Sequence, residues 1–417
     1  QSVGDRLKAL AFSDDKAGKF FWEITADSLI YSANRVPEIS DDIINIDNAM
    51  KWGYGWELGP FEGWDAIGVK ASVARMEKEN KTVPEWVKKM LDSGRETFYS
   101  TQDGKVTYYD PISSSVKTKS ENEKTINLNL CKSGGKTVKK DWSASLIDLG
   151  DGILNVEFHS ALQPTLNPID TSMGQIINDG MDLLEAGTYK GMVIGHQGPN
   201  FCAGANLANM IQAIEAGAWE EMNTQVKQVQ DLLQRVRFSK APVVAAPHHL
   251  ALGGGFELLA PAAHRVALGE LYIGAVEVGV GLIPGAGGNL RLLLNLMENS
   301  GSGIMNSFQV AQKAFETIGF AKVATSADEA KFLGYLLKTD TIILNNDQRI
   351  WAGKQKALEL IDNNYEPPSY REDLKLPGAG GRTAMAMALK GFKAQGKISA
   401  HDELIAKKLA FVLTGGD

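Results

Sequence analysis

The sequence predicts a chain of mixed architecture, with an α/β region over about residues 142–360 between a mostly helical region and a short helical tail. In the α/β region, short apolar runs suited to strands alternate with stretches in which apolar residues recur every three to four positions, as in amphipathic helices. Strands that feed helices in this way are typical of an α/β domain. The helical spacing dominates before residue 112, and after residue 363 prolines and glycines lead into two further helical patterns.

Within the α/β region, four apolar runs predict strands, at residues 145–149, 153–158, 192–195 and 243–246. The first two flank Gly150-Asp151-Gly152, which is typical of a tight connection. Asn167, Pro168 and Asp170 predict the start of a helix, because they supply a cap, a first-turn proline and a first-turn acid. A second amphipathic helix is predicted over residues 222–236.

These patterns divide the chain into four segments, at residues 1–115, 116–141, 142–363 and 364–417. The first is predicted to be a helical domain, the third the α/β domain and the fourth a helical segment. The second is predicted to be a linker, because serines lead into a lysine-rich stretch that contains Gly134-Gly135. The chain begins without methionine and stops at Gly415-Gly416-Asp417, so we expect a piece of a longer polypeptide.

The composition restricts the classes of protein to which the chain can belong. It is 44% hydrophobic and 22% charged, as in ordinary globular proteins. Its net charge of -7 argues against a nucleic-acid-binding surface. Two cysteines, Cys131 and Cys202, provide neither a disulfide framework nor a metal cluster, which predicts a cytoplasmic location and no metal ion. The most apolar stretch, residues 241–260, contains Pro247, His248, His249 and Glu257, so no membrane span is expected.

Three glycine-rich segments of the α/β region contain the candidate functional residues. Residues 200–206 have small side chains that let backbone N–H groups approach a ligand, although a plain tight turn has the same composition. Residues 252–257 place three glycines between a strand and a helix, without the lysine of a P-loop and without dinucleotide-binding spacing. Residues 276–288 set Glu277 in a largely apolar run, where the carboxylate is either exposed at an edge or buried for proton transfer.

In order and spacing, these segments resemble the crotonase (enoyl-CoA hydratase/isomerase) superfamily. The run FCAGAN at residues 201–206 is similar to that family's first oxyanion loop, and ALGGGFE at residues 251–257 is similar to its second. Glu277 followed by IPGAGG at residues 283–288 resembles its second-acid segment. The resemblance covers roughly residues 142–360 and implies a crotonase-like spiral of ββα units.

The resemblance also implies roles for individual residues. The backbone N–H groups of Ala203 and Gly254 would polarise the thioester carbonyl of an acyl-CoA substrate. Glu257 would activate water for attack at Cβ, and Glu277 would deliver a proton to Cα. The residues assigned to substrate and CoA binding are Ala203, Gly204, Ala205, Asn206, Gly253, Pro284 and Gly285.

The flanking segments resemble a second family. The runs IDNAMKWG at residues 46–53 and WELGPFEGWD at residues 56–65 are similar to the all-α C-terminal domain of 3-hydroxyacyl-CoA dehydrogenases. Residues 398–410 are similar to the end of bacterial bifunctional dehydrogenase/hydratase chains of fatty-acid β-oxidation. No glycine-rich dinucleotide fingerprint follows a strand near residue 1, so NAD is expected only in a missing N-terminal domain and no cofactor in this chain.

The paired glutamates favour hydration of trans-2-enoyl-CoA to 3-hydroxyacyl-CoA, because relatives that only isomerise keep the second acid and lose the first. Another crotonase-type enzyme (an isomerase, dehalogenase or thioester hydrolase) and a catalytically silent CoA-binding or assembly module are the alternatives. Homo-oligomerisation is left open. Cys202 is interpreted as a packed thiol and His248 and His249 as structural, whereas His264 has no explanation from the sequence.

Overall fold

The computed structural model describes residues 2–120, 122–301 and 306–416. The chain divides into two compact units, over residues 1–121 and 122–417. No helix in the described ranges is long and apolar enough to cross a membrane.

The smaller unit is mainly helical, as the sequence predicted. Its elements are α1 (Val3–Ala11), α2 (Lys16–Asn34), α3 (Ile43–Tyr54), α4 (Pro60–Ile67), α5 (Val69–Lys78), α6 (Glu85–Asp92), β1 (Tyr99–Gln102), β2 (Lys105–Asp110) and β3 (Ser115–Thr118). Asp15 and Asp42 cap α2 and α3 by accepting backbone N–H groups of the first turn. Trp64 and Phe98 are completely buried in the core of this unit.

The smaller unit also contains a sheet that the all-α prediction omitted. Strands β1, β2 and β3 form a three-stranded antiparallel sheet. All four residues of β3 are exposed, so its sequence carries little of the alternation that reveals a half-buried strand. In β2, by contrast, Tyr108 and Tyr109 are buried and join the aromatic core.

The larger unit contains the α/β domain and the helical tail. Its first elements are α7 (Leu128–Ser133), β4 (Thr137–Lys140), β5 (Ala144–Asp148), β6 (Ile153–Phe158), α8 (Thr171–Glu185), β7 (Gly191–Ile194), α9 (Leu207–Glu215), α10 (Trp219–Arg237), β8 (Val243–Ala245), β9 (His249–Leu252) and α11 (Gly254–Leu259). They continue with β10 (His264–Leu268), β11 (Leu271–Gly274), α12 (Gly288–Ser300), α13 (Ser307–Gly319), α14 (Ala327–Leu333), β12 (Thr341–Ile343), α15 (Arg349–Asp362), α16 (Gly378–Ala394) and α17 (Ala400–Leu413). Two short 3₁₀ turns lie at Glu277–Val280 and Asn346–Gln348.

A seven-stranded sheet organises this unit, in the strand order β12-β10-β8-β7-β6-β5-β4. The pairs from β6 through β12 are parallel, whereas β4, β5 and β6 pair antiparallel. Helix α8 connects β6 to β7, and α9 and α10 connect β7 to β8, because parallel neighbours need long crossovers. A separate two-stranded parallel sheet, β9 with β11, leads directly into the glycines at residues 253–255.

The four strands predicted at residues 145–149, 153–158, 192–195 and 243–246 are confirmed as β5, β6, β7 and β8. The first predicted helix is α8, but its cap differs from the prediction. Asp170 accepts the N–H of Met173 at 2.9 Å, so Asp170 is the N-cap. Asn167 instead has a φ of 46° and accepts the N–H of Ser160 at 2.9 Å.

The segment predicted as a linker, residues 116–141, is largely structured and is a correction to the sequence analysis. Strand β3 lies at its start, α7 buries Leu128 in a hydrophobic cluster, and β4 pairs with β5 at the edge of the large sheet. All four residues of β4 are exposed. Lysines on an exposed edge strand discourage pairing with strands of other chains. A lysine-rich sequence is also typical of a linker, so the sequence alone did not distinguish the two.

His264 now has a structural explanation. Its Nε2 accepts the backbone N–H of Thr341 at 3.2 Å and lies 2.9 Å from the Thr341 hydroxyl oxygen, which ties β10 to β12. Burial lowers the pKa of His264 to about 4, so the ring is neutral. The adjacent Arg265 is buried and forms an ion pair with buried Asp340 at 2.7 Å.

Candidate active site

The first glycine-rich segment, residues 200–206, lies beside β9 of the two-stranded sheet. Cys202 forms a parallel bridge with Ala251. The Cys202 N–H donates to the Leu250 carbonyl at 2.9 Å, and the Leu252 N–H donates to the Cys202 carbonyl at 3.0 Å. The two predicted oxyanion segments are therefore held side by side by backbone hydrogen bonds.

Ala203 does not have the free N–H group that its predicted role requires. Its N–H donates to the carbonyl of Leu166 at 2.8 Å. In the described part of the chain, neither Ala205 nor Gly254 donates its N–H to a protein acceptor. The N–H of Ala205 is thus available in the first loop and lies beside Gly254, and the assignment to Ala203 is corrected.

Ala205 and Gly254 lie next to each other. A Cβ built on Gly254 would be 3.6 Å from the Ala205 nitrogen, and one built on Gly204 would be 3.1 Å from the Gly254 nitrogen. Two adjacent N–H groups without protein acceptors form the kind of preorganised pair that stabilises a developing oxyanion. Asn206, which ends the loop, caps α9 by accepting the N–H of Ala208 at 3.1 Å.

Glu257 is a buried carboxylate that is fixed by backbone donors. It lies in α11 with 5% of its surface exposed. Its Oε1 accepts the N–H groups of Ala286 and Gly288, both at 2.8 Å. Burial raises the pKa of Glu257, and the two hydrogen bonds oppose that rise by stabilising the carboxylate. Backbone N–H groups of the third glycine-rich segment, residues 276–288, therefore fix the carboxylate of Glu257 in the second segment, residues 252–257.

Glu277 has different surroundings. It begins a 3₁₀ turn, and both of its carboxylate oxygens are buried without a hydrogen-bond partner among the described residues. Burial, followed by the negative charge of nearby Glu257, raises the pKa of Glu277 to about 7. Of the two alternatives for this residue, the structure has the buried carboxylate rather than the exposed one.

Gly253 joins the second and third segments. Its φ is 54°, in the left-handed region that favours glycine, and its N–H donates to the Gly274 carbonyl at 2.7 Å. A Cβ at this position would lie only 3.2 Å from Glu277 Oε1. Glycine therefore permits both the backbone conformation and the close approach of the Glu277 carboxylate.

The loop between Glu277 and α12 is held by side chains from distant elements. Asn289 donates its side-chain N–H to the Pro284 carbonyl at 2.7 Å, and Gln230 of α10 donates to the Gly285 carbonyl at 2.7 Å. These contacts fix Pro284 and Gly285, two of the seven residues that sequence analysis assigned to substrate binding. Gln230 and Asn289 were missed because amide side chains in helices carry no recognisable pattern.

The buried cysteine and histidines near this site are part of the packing. Burial raises the pKa of Cys202 to about 12, so its thiol is not ionised at neutral pH. His248 is buried and donates from Nε2 to the Gly198 carbonyl at 2.7 Å. His196, which sequence analysis missed, accepts the Gly198 N–H at Nδ1 and donates from Nε2 to the Phe201 carbonyl at 2.8 Å. No group of three or more potential metal ligands occurs among residues for which the structure gives positions.

The fold and these segments agree with the comparison to known families. Residues 162–339 match the family described as "Enoyl-CoA hydratase/isomerase". This part of the chain belongs to that family, the crotonase superfamily, as the resemblance predicted.

Two curated relatives match a larger share of the chain than the family does. Over 411 residues, 99% of the chain, it is 45% identical to a Bacillus subtilis protein named "Probable 3-hydroxyacyl-CoA dehydrogenase", of which it covers 51%. It is 28% identical over 292 residues, 68% of the chain, to a "Putative fatty acid oxidation complex trifunctional enzyme" of Rickettsia felis, of which it covers 36%. The chain therefore spans about half or less of the length of these curated relatives. An enoyl-CoA hydratase structure from Bacillus anthracis aligns with a TM-score of 0.42 and 21% identity, covering 65% of this chain and 90% of that one.

Proposed function

We propose that the larger unit adds water to a trans-2-enoyl-CoA and forms the 3-hydroxyacyl-CoA. The observation that carries this proposal is a pair of interacting glutamates whose carboxylates lie in unlike, water-excluded surroundings, next to two backbone N–H groups that have no acceptor in the described chain. Hydration requires one group that activates water, one that protonates carbon, and donors for the thioester oxygen.

Ala205 and Gly254 supply the donors in this proposal. Their N–H groups bind the thioester oxygen as negative charge develops in the enolate that follows attack at Cβ. A preorganised donor of this kind is worth about 3 kcal/mol in the transition state. Ala203 contributes indirectly, because its hydrogen bond to Leu166 holds the loop that presents Ala205.

The surroundings of the two glutamates assign their roles. Glu257 accepts two backbone N–H groups, which favour its carboxylate, so it is the base that takes a proton from water. Glu277 has no hydrogen-bond donor among the described residues and its pKa is raised to about 7, so near neutral pH much of it carries a proton. Glu277 is therefore the acid that delivers a proton to Cα.

The test uses the variants Glu257→Gln and Glu277→Gln, which keep side-chain size and remove the ability to exchange a proton. Hydration of crotonyl-CoA, followed by the loss of enoyl-thioester absorbance, is expected to fall by roughly 100-fold or more in each variant. Binding of the CoA ester, measured by calorimetry, should remain within a few-fold. Wild-type turnover in either variant would show that the role assigned to that glutamate is wrong.

The same variants separate hydration from the alternatives. An isomerase moves one proton between carbons and can work with a single carboxylate, so Glu257→Gln would then keep its activity on a 3-enoyl-CoA. A silent binding module would bind the ester and turn over neither substrate. The presence of two carboxylates, one held by two backbone donors and one without a hydrogen bond in the described chain, favours hydratase activity.

We also propose that the chain is the hydratase part of a bifunctional enzyme of fatty-acid β-oxidation. The names of its relatives include both a 3-hydroxyacyl-CoA dehydrogenase and a fatty acid oxidation complex enzyme, and the product of hydration is the substrate class of such a dehydrogenase. In this proposal NAD binds to a part of the protein outside these 417 residues and the enzyme acts in the cytoplasm.

A further inference from the structure

The last helix of the chain is part of the hydratase unit rather than an appendage. Leu409 and Leu413 of α17 are buried in the same hydrophobic core as Phe256, the neighbour of Glu257. The start of the helix is fixed by Ser399, whose hydroxyl accepts the N–H of Asp402 at 3.1 Å, while Asp402 accepts the N–H of Ser399 at 2.8 Å. The first residues of α17 therefore have a defined position.

One of these residues, His401, reaches the loop that follows Glu277. Its Nε2 lies 2.9 Å from the carbonyl oxygen of Gly281. A carbonyl oxygen only accepts, so Nε2 carries hydrogen and donates. Gly281 has a φ of 79°, and a Cβ there would lie 3.0 Å from His401 Nε2, so the imidazole packs directly on the glycine.

Gly281 closes the turn that begins with Glu277. Its N–H donates to the Val278 carbonyl at 3.1 Å, and the N–H of Leu282 donates to the Glu277 carbonyl at 3.0 Å. The carboxylate of Glu277 has no hydrogen bond in the described chain to fix it. Its position therefore depends on its backbone turn, and His401 holds the far end of that turn.

We propose that His401 is a positioning residue for the hydration reaction, holding the Gly281 carbonyl so that the turn directs the carboxyl group of Glu277 towards the substrate. This inference rests on the proposed function for its catalytic consequence. Gln230 and Asn289 hold the other end of the same loop, next to the donors of Glu257. Each of the two glutamates thus has its own backbone support.

Loss of this support should also change the environment of Glu277. Among the described residues, it interacts with two ionisable groups, the Glu257 carboxylate from α11 and the Tyr335 hydroxyl from the segment after α14. Burial is the main reason that its pKa is raised to about 7. A looser turn admits water, so the pKa of Glu277 should fall towards its ordinary value.

The experiment compares four variants of the full chain: His401→Ala, His401→Phe, His401→Gln and, as a matched control on the same helix, Lys408→Ala. Lys408 is exposed. Glutamine places an N–H near the position of Nε2, whereas phenylalanine keeps a ring without a donor. We expect kcat for crotonyl-CoA to fall roughly 3- to 10-fold in the alanine and phenylalanine variants, equivalent to one hydrogen bond, with KM nearly unchanged. The glutamine and control variants should stay within about 2-fold of wild type.

The pKa of Glu277 provides a readout that does not require turnover. In a ¹³C-carboxyl NMR titration, with Glu277→Gln used to assign the signal, it should be lower in His401→Ala than in the wild type and in Lys408→Ala. An unchanged kcat and an unchanged titration in His401→Ala would overturn the inference, as would a glutamine variant as impaired as alanine. A wild-type chain that does not hydrate crotonyl-CoA would instead refute the proposed function, and the titration would still decide whether His401 positions Glu277.

Discussion

The correction from Ala203 to Ala205 leads to a test at the level of single backbone atoms. Replacing an alanine by lactic acid during translation changes its N–H to an ester oxygen and leaves the side chain intact. The replacement at position 205 removes the proposed oxyanion donor. The same replacement at position 203 removes only the hydrogen bond to the Leu166 carbonyl, so it is the matched control.

The expected magnitudes differ because the two N–H groups have different partners. The Ala205 donor is worth about 3 kcal/mol in the transition state, which corresponds to roughly 100-fold in kcat. The Ala203 donor is part of an ordinary hydrogen bond, worth about 1 kcal/mol of stability. In this proposal the Ala203 N–H does not contact the substrate, so the ester there should affect mainly stability, and kcat should change by less than about 3-fold.

The rate of crotonyl-CoA hydration measures the change in kcat, and urea unfolding of the same proteins measures the change in stability. The reasoning is refuted if the ester at position 203 reduces kcat as strongly as the ester at position 205 without loss of stability. It is also refuted if the ester at position 205 leaves kcat unchanged, since the thioester oxygen would then find its donors elsewhere.

Three further predictions concern Gly253, the two glutamates and the ion pair on β10. Gly253→Ala should reduce kcat at least about 10-fold, because the new Cβ meets Glu277 Oε1 at 3.2 Å and a φ of 54° is unfavourable for alanine. The control Gly174→Ala, whose new Cβ would have no atom within 4 Å, should keep full activity. In a pH profile of kcat/KM, activity should fall above about pH 7 as Glu277 loses its proton, and should fall on acidification as Glu257 gains one, at a pH above the ordinary glutamate value of 4.5. A profile that stays flat from neutral into alkaline pH would contradict the assignment of Glu277. Asp340→Ala should lower the free energy of unfolding by about 3–5 kcal/mol, because the buried guanidinium of Arg265 on β10 loses its partner. Chemical denaturation measures this loss, provided that the cooperativity of unfolding is unchanged.

Much of the fold was predictable because its strands are buried on both faces or follow clear turn residues. β6 is buried along its whole length, and four of its six residues are apolar, the others being Asn155 and Glu157. The exposed strands β3 and β4 were not predicted, since an edge strand facing water has neither apolar alternation nor a buried run. Their pairing with neighbours in the sheet decides their conformation.

The sequence by itself determined which segments are the candidates for catalysis, since the glycine-rich runs and the two glutamates occur in an order and spacing that match the family. Only the tertiary structure decided which backbone N–H is available. The acceptor that engages Ala203 lies on Leu166, and the donors that hold Glu257 lie at Ala286 and Gly288. Every residue except proline carries the same N–H and carbonyl groups, so side-chain identity cannot record which of them are paired. That information exists only when segments distant in sequence have been brought into contact.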